Sequence, residues 1–138
     1  MEPRVTRVEH IAIAVKDLEQ ALAFYTDVLG LEVVHRQTVP EQGVKVAFVE
    51  VGGVKVELME PIDDRSYVAR QLEKHGPGLA HVCFETDDLD ALTEELTRRD
   101  LVLLTPEPVL GSDGRRVIFL HPKDNSGTMT EFCERGAP

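Results

Sequence analysis

Two histidines recur in one local setting, and two glutamates recur with them. His10 sits in Val8-Glu9-His10-Ile11-Ala12-Ile13-Ala14-Val15, and His81 sits 71 residues later in Leu79-Ala80-His81-Val82-Cys83-Phe84-Glu85-Thr86. Glu57 in Val56-Glu57-Leu58-Met59-Glu60 lines up with Glu131 in Thr130-Glu131-Phe132-Cys133-Glu134, and the glutamates follow their histidines by 47 and 50 residues. Two imidazole nitrogens and two carboxylate oxygens, with room for water, suit an octahedral divalent ion such as Co, Mn, Ni, Fe or Zn. The two carboxylates balance the ion's double charge and lower the cost of holding it in a partly dry cleft. Taken singly, a strand histidine is more often structural and a strand-end glutamate more often solvated. The joint recurrence at matched places is what points to a shared cation. His35, His75 and His121 have no repeat partner and read as surface or loop residues. Cys83 and Cys133 follow His81 and Glu131 by two residues and can border the same cleft, but no Cys-x-x-Cys spacing or adjacent base supports a nucleophilic thiol. The sequence carries no Gly-x-Ser-x-Gly, Walker loop or dinucleotide-binding fingerprint.

The elements that must position these residues also come in duplicate. Each copy starts as a strand, passes an Asp at an N-cap position and continues as an amphipathic helix. In the first helix Leu18, Ala21, Leu22, Tyr25, Val28 and Leu29 share a face, with Asp17 and Gln20 at capping-box spacing and Gly30 as the stop. In the second, Leu89, Leu92 and Leu96 follow Asp88, and Arg98 and Arg99 stand near the C-terminus. Three strands are expected after each helix: Leu31–Arg36, Val44–Val51 and Val54–Met59, then Leu101–Leu104, Arg115–Leu120 and Thr128–Cys133. Gly52-Gly53 supplies a hairpin turn, and Gly111-Ser112-Asp113-Gly114 forms a loop. A linking helix at Ser66–Lys74, capped by Ser66, ends at Gly76-Pro77-Gly78. Strand alternation puts His10, Ala12 and Ala14 on one open face and Ile11, Ile13 and Val15 under the helix; Val82 and Phe84 turn toward the second helix in the same way. Histidines matched by an internal two-fold would face each other across the junction. The expected fold is α+β: tandem βαβββ modules, about 5–60 and 78–134, in one domain over 5–134. They form a pseudo-symmetric open barrel of two mixed sheets flanked by helices.

A chain of 138 residues is the common size for one domain, and 42% hydrophobic with 29% charged residues suits a globule. Its net charge of −10 repels nucleic acid and anionic membrane. No apolar run approaches the roughly 20 residues that span a bilayer. The start, Met1-Glu2-Pro3-Arg4, lacks the pattern of a signal peptide, and two cysteines are too few for a disulfide framework. A cytoplasmic location with reduced thiols is expected.

With these residues in view, the chain from Val5 to Glu134 resembles the vicinal oxygen chelate superfamily (the glyoxalase, bleomycin-resistance and dioxygenase group) and, within it, the methylmalonyl-CoA epimerases. Glu9-His10-Ile11-Ala12-Ile13-Ala14-Val15, Phe24-Tyr25 to Leu29-Gly30 and Glu57-Leu58-Met59-Glu60-Pro61 resemble the wider superfamily. Pro40-Glu41-Gln42-Gly43-Val44 and Phe119-Leu120-His121-Pro122-Lys123 are closer to the epimerases, and Gly78-Leu79-Ala80-His81 carries the second histidine. The resemblance implies a divalent metal, cobalt favoured over Mn, Ni, Fe or Zn, at His10, Glu57, His81 and Glu131. It implies an acyl-CoA substrate chelated through its thioester oxygen and carboxylate, an enolate formed when the C2 proton leaves, and Glu131 as catalytic base as well as ligand. It also implies a homodimer. Epimerases carry Gln or Glu at the position of Glu57. Some carry a second catalytic Glu where this sequence has Val46, which leaves Glu57, Lys45 or a metal-bound water for the opposite face. Ala80 replaces the first of a histidine pair seen in relatives. Gly111–Gly114 with Arg115, Arg116 and Lys123 would hold the CoA phosphates, or else form a plain turn with solvated charges. The rival readings are a glyoxalase-I-type lactoylglutathione lyase, a non-catalytic sequestering protein of the bleomycin-resistance kind, and a ring-cleaving dioxygenase.

Overall fold

A computed structural model describes residues 2–111 and 113–136, so Ser112 in the glycine loop lies outside the described residues. The chain divides into two compact units, His10–Ala80 and the residues up to Glu9 together with those from His81 onward.

The elements in chain order are β1 (Arg7–Ala14), α1 (Leu18–Ala23), β2 (Val33–Val39), β3 (Val44–Val51), β4 (Val54–Pro61), α2 (Tyr67–His75), β5 (Gly78–Thr86), α3 (Leu89–Arg98), β6 (Val109–Leu110), β7 (Arg116–Leu120) and β8 (Met129–Glu134). In the first module the strands run β2-β3-β4-β1, with β4 returning parallel to β1 and the other pairs antiparallel. In the second they run β5-β8-β7-β6, with β8 parallel to β5 and the other pairs antiparallel. The βαβββ order is therefore present twice.

Each module buries a helix on one sheet face. Leu18 and Leu22 of α1 pack with Val15, Ala47, Val49 and Leu58, and Ile13 joins them, as strand alternation requires. Leu89, Leu92 and Leu96 of α3 pack with Ile118, Leu120 and Phe132, beside Phe84. The caps are those written in the sequence: Asp17 accepts from Gln20 N, Ser66 from Ala69 N and Asp88 from Ala91 N. The other face of the first module, expected to be open, is instead a second core. Ala12, Ala14, Val44, Val46 and Met59 lie under Val68, Tyr67 and Leu72 of α2, the linking helix.

Two expectations fail locally. The first helix loosens after Ala23 into a π turn over Phe24–Val28, closed by Leu29 N donating to Phe24 O at 3.1 Å. The wider turn rotates the following residues off the buried stripe, which leaves Val28 70% and Leu29 52% exposed. Leu101–Leu104 makes only an isolated bridge, Leu103 to Leu120, and the ladder beside β7 is Val109–Leu110. Pro106 and Pro108 lie between them, and a proline offers no N–H to a ladder.

Candidate functional site

Both modules hold a buried histidine beside a buried glutamate, through the same construction. On parallel β1 and β4, Lys55 stands opposite His10 and Glu57 lies two residues further along. On parallel β5 and β8, Met129 stands opposite His81 and Glu131 again lies two further. The step of two keeps each glutamate on its histidine's face, at a diagonal that a long side chain closes. His10 Nε2 lies 3.3 Å from Glu57 Oε1, and His81 Nε2 lies 3.1 Å from Glu131 Oε1. All four residues are between 5% and 7% exposed. Burying carboxylates is costly without counter-charge, and imidazole nitrogen with carboxylate oxygen is a donor set that fits a borderline divalent ion.

Sequence reading missed one member of each pair's surroundings. The His10 ring meets Phe48 edge-on, with centroids 5.8 Å apart and planes at 89°; His81 meets Phe119 in the same way at 5.9 Å and 84°. Phe48 is the register partner of Glu57 on β3, and Phe119 that of Glu131 on β7. The two phenylalanines are 71 residues apart, the spacing of the histidines, so the repeat itself held the signal. Each ring thus presents the edge-to-face geometry that aromatic pairs favour.

The remaining residues named from sequence fall into other roles. Lys45 Nζ pairs with Glu60 Oε2 at 3.0 Å, and Glu60 Oε1 accepts from Leu18 N at the start of α1. That pair belongs to the helix-covered side of the sheet, away from the face of Glu57. Val46 is 2% exposed within the apolar cluster under α2, so no protonatable group stands there. Cys83 and Cys133 are free and buried. Hydrogen bonding with Cys133, then burial, pushes the Cys83 thiol well up, so it stays protonated. His35 and His75 are exposed, while His121 is half-buried and caps a short 3-10 turn, its Nδ1 accepting from Lys123 N at 3.0 Å.

Of the two readings of the glycine loop and its arginines, a phosphate cradle or a plain turn, the internal contacts favour the turn. Arg115 is drawn to Glu9, Glu85 and Asp113, and Arg116 to Asp90 and Glu134. Gly111 N donates to Arg115 O, Gly114 N to Gly111 O and Arg115 N to Asp113 Oδ1, so these amides serve the turn. Asp113 and the buried Glu9 and Glu85 thus supply Arg115 with counter-charge from within the chain. Lys123 remains an exposed cation.

Comparison with known proteins places this geometry in context. The profile of the Glyoxalase/Bleomycin resistance protein/Dioxygenase superfamily matches residues 9–119. The mitochondrial methylmalonyl-CoA epimerase of Homo sapiens is 42% identical over 127 residues, 91% of this chain and 72% of that protein. The crystal structure of the Mycobacterium tuberculosis methylmalonyl-CoA epimerase superposes with a TM-score of 0.92 at 34% identity, covering 97% of this chain and 91% of that one. A methylmalonyl-CoA epimerase solved in complex with methylmalonyl-CoA and NH4+ gives 0.92 at 37% identity, with 96% of each chain covered. The expected vicinal oxygen chelate fold is thereby established.

Proposed function

Since the chain belongs to the Glyoxalase/Bleomycin resistance protein/Dioxygenase superfamily, we propose that it is a metal-dependent epimerase inverting C2 of methylmalonyl-CoA. The observation that carries this reading is the buried histidine–glutamate pair built identically in both modules, at 3.3 Å and 3.1 Å. We assign His10, Glu57, His81 and Glu131 as ligands of one divalent ion. The burial of His10, His81 and Glu131, each with one donor atom to offer, supports three of those four assignments. Cobalt is the first choice, with Mn, Ni, Fe or Zn as the alternatives. When bound, the ion supplies a Lewis acid that draws charge from the thioester carbonyl and so acidifies the C2 proton.

The chain's own residues do the rest. Glu131 takes the C2 proton, being a carboxylate at the edge of the site. Its Oε1 lies 3.1 Å from His81 Nε2, and the His81 ring packs edge-on against Phe119, so its place is set by the packing of β5, β7 and β8. A proton returned to the other face inverts the centre. With Val46 apolar and Lys45 held by Glu60, the candidates to return it are Glu57, which we test first, and a water at the ion. We place the enzyme in the cytoplasm as a homodimer, a state that sedimentation velocity measures directly.

The test is proton exchange. One epimer of methylmalonyl-CoA, incubated with Co2+-loaded protein in D2O, is expected to gain deuterium at C2 and yield both epimers, and a chelator is expected to stop both. Isomerisation of the glutathione–methylglyoxal hemithioacetal without that exchange would replace this reading with the lyase. Tight binding of either compound without turnover would replace it with a sequestering role.

A further inference from the structure

The internal repeat provides a control for one buried cluster that the proposed chemistry does not use. In the second module the Arg115 side chain, 17% exposed, lies 3.2 Å from Glu9 Oε1 through Nη2 and 3.3 Å from Glu85 Oε2 through Nη1. Its Nη1 also donates to Glu134 O at 3.4 Å, and its Nε lies 2.6 Å from Asp113 Oδ2. Arg7 Nη1 reaches Glu85 at 3.6 Å. Glu9 is 2% and Glu85 8% exposed. At the 71-residue offset, the counterparts of Glu9, Glu85 and Arg115 are Ala80, Ala14 and Val44. All three counterparts belong to one apolar cluster, the core that α2 covers. The fold therefore accepts a hydrocarbon cluster at these places. A buried ion cluster is seldom more stabilising than a well-packed apolar one, so stability alone does not account for the charges in the second copy.

The attachments of Arg115 do account for them. Glu9 immediately precedes His10 in the chain. Glu85 lies on β5 four residues after His81, and Glu134 ends β8 three residues after Glu131. One planar guanidinium, with its donors in a rigid fork, thus ties together the strand segments next to three of the four assigned ligands. We propose that Arg115 is a positioning residue for the metal ligands, setting the strand ends so that His10, His81 and Glu131 are presented in coordinating geometry. This rests on the ligand assignment made above. Outer partners that orient ligands are typically worth 10–100-fold in metal affinity.

The sign of the effect separates positioning from plain electrostatics. Removing a positive charge near a cation site should tighten cation binding, whereas removing a positioning residue should weaken it. Co2+ affinity is therefore measured by competition titration on Arg115→Met, alongside the Co2+ visible absorption spectrum and a circular-dichroism melt. Folded Arg115→Met is expected to bind Co2+ at least about 10-fold more weakly, with an altered spectrum. Arg115→Lys, which keeps the charge without the fork, is expected to recover only part of the loss. Arg116→Met, removing the pairs to Asp90 and Glu134, should stay within about two-fold of the parent protein. If Arg115→Met fails to fold, the triple change Glu9→Ala, Glu85→Ala, Arg115→Val imports the first module's own solution and carries the same expectation. Unchanged or tighter Co2+ binding in either folded variant overturns the positioning role and leaves the ligand assignment standing. Absence of Co2+ binding in the parent protein overturns both.

Discussion

His10, Glu57, His81 and Glu131 are each weak evidence in the sequence, and their strength comes from being placed twice by one rule. Each glutamate stands two residues beyond the strand partner of its histidine. Because the proposed roles differ, the four should fail differently. Glu131→Ala is expected to reduce turnover to background, a loss on the order of 10²–10⁴ for an acid–base group, and to weaken metal binding. His121→Ala should leave the metal in place, since that ring serves a 3-10 turn through Lys123 N. Metal content by mass spectrometry and C2 exchange rates check both, and retained exchange in Glu131→Ala would remove the base assignment. Glu57→Gln should keep the metal, because the amide retains an oxygen donor of the same reach while losing the titratable proton. A rate unchanged from the parent would strip Glu57 of its role as proton donor. These four residues were legible from sequence. Phe48 and Phe119 were overlooked because an apolar residue in a strand has no distinctive type; only the folded register shows that each packs against one of the repeated histidines.

At the scale of the element, local signals at caps and turns proved reliable. Ser66 was read as the cap of the linking helix and accepts from Ala69 N at 3.1 Å. Ser66→Ala should therefore lower unfolding free energy by about 1 kcal/mol, read from denaturant melts. Helix α3 carries a charge cluster whose pH dependence follows directly. Glu95 is held down to about 2 by hydrogen bonds from Arg99 and Arg98, against a usual value of 4.5. A carboxylate lowered in the folded state contributes stability that is complete above pH 4.5 and is lost as pH falls toward 2. Glu95→Gln should flatten that part of the stability–pH curve, and an unchanged slope would mean the cluster contributes nothing. The π turn after Ala23 and the displaced strand at Val109–Leu110 escaped the sequence reading for a common reason. Periodicity assumes a regular repeat, and hydrogen bonding that slips by one residue, or a segment carrying prolines, changes which residues pair without changing their types.

For the molecule as a whole, the proposed metal makes a thermodynamic prediction. A ligand that binds only the folded chain stabilises it by about 2.7 kcal/mol at 100 times its dissociation constant. For a domain of this size that raises Tm by roughly 9 °C. Calorimetry with Co2+ and again after chelation checks it, and a Tm indifferent to both would count against a structural role for the ion. The amino-acid sequence by itself determined the duplicated βαβββ plan and the repeated histidines and glutamates within it, because repeat spacing and side-chain alternation are properties of the chain before it folds. Tertiary structure alone decided that Arg115 and Arg116 are held by internal carboxylates, that Lys45 belongs to the helix side and that α2 seals the first module's second face. A long charged side chain takes whichever counter-charge the fold brings within reach, and residue type and spacing carry no record of that competition.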